Sequence, residues 1–127
     1  MSKKQIVATD RAPKAIGPYS QAVRANGFVF LSGQIPLDPG TGDLVQGDIV
    51  EQTQRVMQNL EAVLAAAGSS FDKVVRATIY LVDLGDFAKV NAVYGSCFSN
   101  EPPARATVQV AALPKGARVE IDLVAAE

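Results

Sequence analysis

The sequence predicts an α+β fold: a single domain spanning residues 1–127, in which a mixed sheet carries two helices on one face. Three observations lead there. Short stretches of apolar–polar alternation, the period of a half-buried strand, recur along the chain. Two stretches instead repeat at the helical interval, and Gly and Pro punctuate the boundaries between the two kinds. Of the 127 residues, 48% are hydrophobic, and no linker or low-complexity tract divides them, so one core is expected.

Residues 5–8 are the first strand candidate, followed by a loop shaped by Pro13, Gly17 and Pro18. Residues 21–25 and 28–32 flank Asn26-Gly27, a dipeptide that favours the tight turn of a hairpin. Phe28-Val29-Phe30-Leu31 is apolar without alternation, which predicts cover on both faces. Asp38-Pro39-Gly40-Thr41-Gly42 forms a turn, with a short pairing segment at Leu44-Val45.

Asp48 and Glu51 have the spacing of a capping box, in which each side chain satisfies a backbone N–H of the other residue. Behind them Val50, Thr53, Val56, Met57, Leu60, Val63, Leu64 and Ala67 form one helical stripe, with Gln52, Arg55, Gln58, Asn59 and Glu61 outside it and Gly68 as the stop. Residues 74–82 read as a strand with Val75, Ala77, Ile79 and Leu81 on one face and Val74, Arg76, Thr78 and Tyr80 on the other. Asp83 or Asp86 is placed to cap a second helix with the stripe Phe87, Val90, Tyr94, Cys97 and Phe98. Pro102-Pro103 stops helical structure and delivers the chain to two last strands, 106–110 and 119–125, joined through Leu113-Pro114-Lys115-Gly116.

Composition narrows the chemistry. The chain has no histidine and one cysteine, Cys97, which removes most zinc sites, Ser–His and Cys–His pairs, and histidine bases. A net charge of -1 without a basic block lacks the footprint of a nucleic-acid binder. The lone cysteine fits a reducing compartment. With no apolar run of membrane-spanning length and no signal-like core in residues 1–12, a cytoplasmic protein is expected.

What remains is carboxylates, Arg, Lys, Tyr, Ser, backbone groups and water. Arg105 stands at the mouth of one of the last strands, while Arg118, Glu120 and Asp122 alternate along its expected neighbour. A guanidinium can grip a small carboxylate in a two-point fork, and a nearby glutamate can move a proton. The same residues also fit blander roles: Arg105 as an ordinary ion-pairing residue, Glu120 as a partner of Arg118, Asn91 as a helix-edge hydrogen bonder. Two helices cover only one sheet face. The other, with Arg76, Thr78, Tyr80, Arg118, Glu120 and Asp122 among apolar residues, predicts an oligomer and a site at or near its subunit boundary.

Several segments coincide with a known pattern: Ala15-Ile16-Gly17-Pro18-Tyr19-Ser20-Gln21-Ala22, Leu31-Ser32-Gly33-Gln34, and Glu51-Gln52-Thr53 followed by Asn59-Leu60. The pattern continues with Asp86-Phe87, Asn91, Tyr94 and Phe98, then Pro103-Ala104-Arg105-Ala106, the stretch from Val110 to Gly116, and Val119-Glu120-Ile121-Asp122. Across nearly its whole length the chain resembles the RidA/YjgF family of enamine/imine deaminases, also known as the L-PSP endoribonuclease-like family.

The resemblance implies a chorismate-mutase-like fold, a homotrimer with three intersubunit clefts, and no metal or organic cofactor. The implied reaction is hydrolysis of 2-aminoacrylate, 2-aminocrotonate and their imine tautomers to 2-keto acids and ammonia. It implies that Arg105 holds the substrate carboxylate and that Glu120 positions or activates water. Tyr19, Ser32, Gly33 and Asn91 would line the cleft, with backbone groups around Thr107. Many members carry Cys where this chain has Thr107, so thiol chemistry there is not expected. Two rival readings are a non-catalytic regulator that binds small carboxylates, and a ribonuclease or translation inhibitor. The missing histidine and basic block weigh against the second.

Overall fold

The computed structural model describes residues 3–127. The strands are β1 (Gln5–Val7), β2 (Ala22–Ala25), β3 (Phe28–Gln34), β4 (Val74–Leu81), β5 (Ala104–Gln109) and β6 (Val119–Ala126). The helices are α1 (Ile49–Ala66) and α2 (Phe87–Gly95). The strands form one six-stranded sheet in the order β1-β2-β3-β6-β4-β5. β4 and β5 run parallel and the other neighbours antiparallel, so the sheet is mixed as expected. The β2–β3 turn uses Asn26 and Gly27 at φ 52° and 82°, the left-handed pair that a two-residue hairpin needs to match strand twist.

The core lies between the sheet and the helices. Along β6, Val119, Ile121, Leu123 and Ala125 are almost wholly buried, in one cluster with Val56, Leu60, Val63 and Leu64 of α1. The capping box of α1 forms as the spacing implies. Asp48 Oδ1 accepts from the Glu51 N–H at 3.0 Å, and Glu51 Oε1 accepts from the Asp48 N–H at 3.3 Å. Gly68, at φ 75°, follows the last turn. Among the described residues, no helix is long and apolar enough to cross a membrane.

Five expectations are corrected. Gln52 and Asn59, placed outside the α1 stripe, are buried, because each has a backbone partner: Gln52 Oε1 accepts from the Arg118 N–H at 3.2 Å, and Asn59 Nδ2 donates to the Leu37 carbonyl at 2.9 Å. The alternation of β4 breaks at a bulge between Val74 and Arg76, so Val74 turns inward and Val75 outward. β3 alternates after all: Val29 and Leu31 are buried, whereas Phe28 and Phe30 are 41% and 48% exposed on the face without helices.

The second helix ends before Cys97 and Phe98, and Asp86 holds its N-cap position without a side-chain capping bond. Asp83 accepts from the Gly85 N–H in the preceding 3-10 turn, while Asp86 takes the Arg118 guanidinium, with Nη2 at 2.8 and 3.0 Å from its two oxygens. Arg118 is thus engaged elsewhere than at Glu120. Finally, β6 does not neighbour β5. It inserts between β3 and β4, because its four buried side chains take the centre of the sheet over α1.

Candidate functional site

The sequence-derived candidates fall into two groups on opposite faces of the sheet. Arg105 lies beside Ala77 of β4, and Ala77 in turn beside Leu123 of β6. Ala77 and Leu123 are buried under the helices, so Arg105 shares the helix-covered face. Glu120 lies beside Tyr80 of β4, one residue out of phase with that row, and faces the other way.

At the Arg105 end, Nη1 donates to Asn91 Oδ1 at 2.7 Å. The guanidinium carbon stands 5.1 Å from the Tyr94 ring centroid and 5.5 Å from that of Phe87, both on α2. Two aromatic faces and one amide therefore hold the cation, leaving donors of the fork without a protein partner among the described residues. Pro102 and Pro103 help wall a cleft of about 490 Å³ beside it. Thr107 lies two residues further along β5 on the same face, beside Ile79, and its hydroxyl is buried without a hydrogen bond. The Tyr94 hydroxyl is buried and unpaired as well, and burial raises its pKa.

At the other end, Tyr19, Ser32, Gly33 and Glu120 line a cavity of about 440 Å³ with Lys14 and Lys115. β3 loses register with β6 between Leu31 and Gln34, and Gly33 sits in that irregular stretch. A Cβ built on Gly33 would overlap the Glu120 carboxyl, so only glycine lets this carboxyl lie flat against the β3 backbone. The Ser32 hydroxyl donates to the Ser20 carbonyl, tying β3 to the loop that carries Tyr19. Burial, and after it the charge of Asp122, raises the pKa of Glu120. Lys115 occupies the left-handed region at φ 58° and its Nζ donates to the Gly42 carbonyl at 3.2 Å, fixing it at the cavity rim.

The structure thus brings Arg105, Asn91 and Thr107 together, and Tyr19, Ser32, Gly33 and Glu120 together, but not the two groups. The expected pairing of Arg105 with Glu120 across neighbouring strands is corrected: β4 stands between them and their side chains leave the sheet on opposite sides. Sequence reasoning also passed over Lys14, Lys115 and the Phe87–Tyr94 cradle as parts of the site. The i, i+4 and i+7 spacing of Phe87, Asn91 and Tyr94 was the signal available, since it puts all three on one side of a helix.

A family model described as endoribonuclease L-PSP matches residues 9–127. Protein DfrA of Myxococcus xanthus is 64% identical, covering 96% of this chain and 95% of its own length. The mouse protein named 2-iminobutanoate/2-iminopropanoate deaminase is 47% identical over 98% of this chain and 92% of its own. The solved structure of a conserved Rid-family protein, YyfA of Yersinia pestis, superposes with a TM-score of 0.96 at 48% identity, covering 98% of this chain and 100% of that one. With the match running through both candidate half-sites, the chain belongs to the RidA/YjgF family, the family of the endoribonuclease L-PSP model.

Proposed function

We propose that this protein hydrolyses small 2-enamino and 2-imino acids, such as 2-aminoacrylate and 2-aminocrotonate with their imine tautomers, to 2-keto acids and ammonia. The site is completed by a second copy of the chain. The observation that carries the reading is the division of labour between two separated half-sites. One offers an aromatic-braced guanidinium with free donors. The other offers a half-buried carboxyl with raised proton affinity. Neither is complete alone, and a homotrimer of chorismate-mutase-like architecture, with a cleft at each of three boundaries, joins them. The open face carrying Phe28, Phe30 and Val108 is the apolar surface such an assembly covers.

The chemistry asks little of the protein. The imine carbon is electrophilic, more so with its nitrogen protonated, and water attacks it without a protein nucleophile. Arg105 grips the substrate carboxylate in a fork and so fixes which face of the carbon meets water, with Asn91 holding the guanidinium plane. Glu120 takes a proton from the attacking water as the C–O bond forms, then returns it to the nitrogen. The C–N bond breaks as the intermediate's hydroxyl gives its own proton to the freed Glu120 carboxylate, which passes it to the departing ammonia, and the keto acid remains. Burial and the nearby Asp122 raise the proton affinity of this carboxyl, making it a better acceptor of water's proton than an exposed glutamate and able to pass that proton on. Tyr19, Ser32, Gly33 and the backbone near Thr107 complete the walls.

The test is release of ammonia and keto acid from 2-aminoacrylate generated enzymatically in the assay. Faster release with the wild type and none of the gain with Arg105→Ala supports the reading. Full activity in Arg105→Ala overturns the mechanism. Carboxylate binding without any acceleration indicates the non-catalytic regulator instead.

A further inference from the structure

Asp122 and Tyr80 take no part in the steps above, yet they adjoin the group that moves the proton. Glu120 and Asp122 are two residues apart on β6 and project from the same face. Opposite them on β4 stand Tyr80, beside Glu120, and Thr78, beside Asp122. The Tyr80 hydroxyl reaches diagonally past its own partner and donates to Asp122 Oδ2 at 2.9 Å. The phenol chooses the more distant of the two carboxylates.

We propose that Tyr80 is a positioning residue that fixes the Asp122 carboxyl beside Glu120, so that the proton drawn from the attacking water comes to rest on Glu120. This rests on the proton-transfer role given to Glu120 above.

Two carboxylates on one partly buried face disfavour each other's ionisation, so as pH falls one takes a proton well before the other. A donor hydrogen bond stabilises whichever is ionised. Here that donor is fixed on Asp122, and the Gly33 contact packs half-buried Glu120 against backbone. Both effects push the same way, toward a proton that settles on Glu120 rather than on its neighbour. The remaining groups around them do not reverse this. β3 contributes Ser32, Gly33 and Gln34, none charged. Arg76 lies beside Val124 on the same face, nearer Asp122 than Glu120, and so favours the same ionised member. Lys14, Tyr19 and Lys115 share the cavity with Glu120, and the Lys115 ammonium is bound to the Gly42 carbonyl. The phenol keeps its own proton throughout, since its pKa is raised chiefly by the bond to Asp122.

The experiment is a carboxyl-carbon NMR titration of Glu120 in the assembled protein without substrate, for wild type, Tyr80→Phe and Asp122→Asn. Expected is a fall of the Glu120 midpoint in both variants, larger in Asp122→Asn. The acid limb of the deaminase pH profile, set by the ionisation of Glu120, then moves to lower pH in Tyr80→Phe while KM stays unchanged. A Glu120 midpoint that stays put or rises in the variants overturns the inference. Because the titration needs no turnover, the two readings separate. An active wild type with unmoved midpoints sinks the carboxyl pair, and an inactive wild type with the expected shifts sinks the deaminase and leaves the pair standing.

Discussion

The Arg105 and Glu120 half-sites are built in opposite ways. Arg105 stands on β5, the edge strand, held by two aromatic rings and one hydrogen bond from a nine-residue helix. Its neighbourhood keeps polar atoms in reserve, namely the Tyr94 and Thr107 hydroxyls and part of the guanidinium fork. Glu120 stands on β6, paired on both sides at the centre of the sheet, against a backbone contact that admits no Cβ. Its neighbourhood spends its hydrogen bonds internally, Ser32 on Ser20 and Tyr80 on Asp122. The contrast matches the proposed roles: an anchor suits an edge that a second copy and a ligand can reach, and a proton handler suits a strand paired on both sides.

The largest expected effect breaks the anchoring half. If Arg105 anchors the substrate as proposed, Arg105→Ala removes two charge-assisted hydrogen bonds to it, and kcat/KM should fall by roughly 10³-fold. Arg105→Lys should recover little, because an ammonium cannot make the fork. Steady-state assays with generated 2-aminoacrylate check both. Glu120→Gln removes proton transfer but not the anchor. A fall of about 10² in kcat with little change in KM is expected, at the low end for acid–base catalysis because water already attacks imines unaided.

Gly33→Ala sharpens the comparison. Its Cβ displaces the Glu120 carboxyl, so kcat should drop roughly tenfold, while a carboxylate probe such as pyruvate, held by the other half-site, binds as before by calorimetry. Asn91→Ala frees the guanidinium plane and should raise KM about fivefold, the equivalent of one hydrogen bond.

The smallest effect is on stability. Burial raises the proton affinity of Glu120 in the folded state, so between the ordinary carboxylate range and its raised value the folded chain holds more protons than the unfolded one. Stability from this group is present at low pH and is lost as pH rises through that window. Glu120→Gln should therefore gain in Tm relative to wild type at pH 8 and not at pH 4. An equal difference at both pH values would contradict a raised proton affinity of Glu120 in the folded state.

Local structure was legible in the sequence wherever one residue type has one physical reason to be there. Asn26-Gly27 had to turn left-handed, Asp48 and Glu51 had to cap, and Val119, Ile121 and Leu123 had to face the core. Strand order was not, because alternation fixes which face a side chain takes and says nothing of which strand lies beside it. That is why Arg105 and Glu120 read as neighbours although β4 separates them. A bulge such as the one at Val74–Arg76 flips phase without changing composition, so it left no trace either. Asn59 and Gln52 read as surface residues because their partners, the Leu37 carbonyl and the Arg118 N–H, lie far away in the chain. The resemblance supplied the residue set of the site. The structure divided it in two.

That division is the central claim, and mixed assemblies test it most directly. Arg105→Ala and Glu120→Gln chains carrying different tags are co-expressed, and assemblies holding both are purified through the two tags in turn. If each site takes Arg105 from one copy and Glu120 from the next, every mixed trimer contains one intact site of three, and about a third of wild-type activity returns from two nearly inactive parents. Mixed assemblies no more active than either parent would contradict the account and place the whole site within one chain.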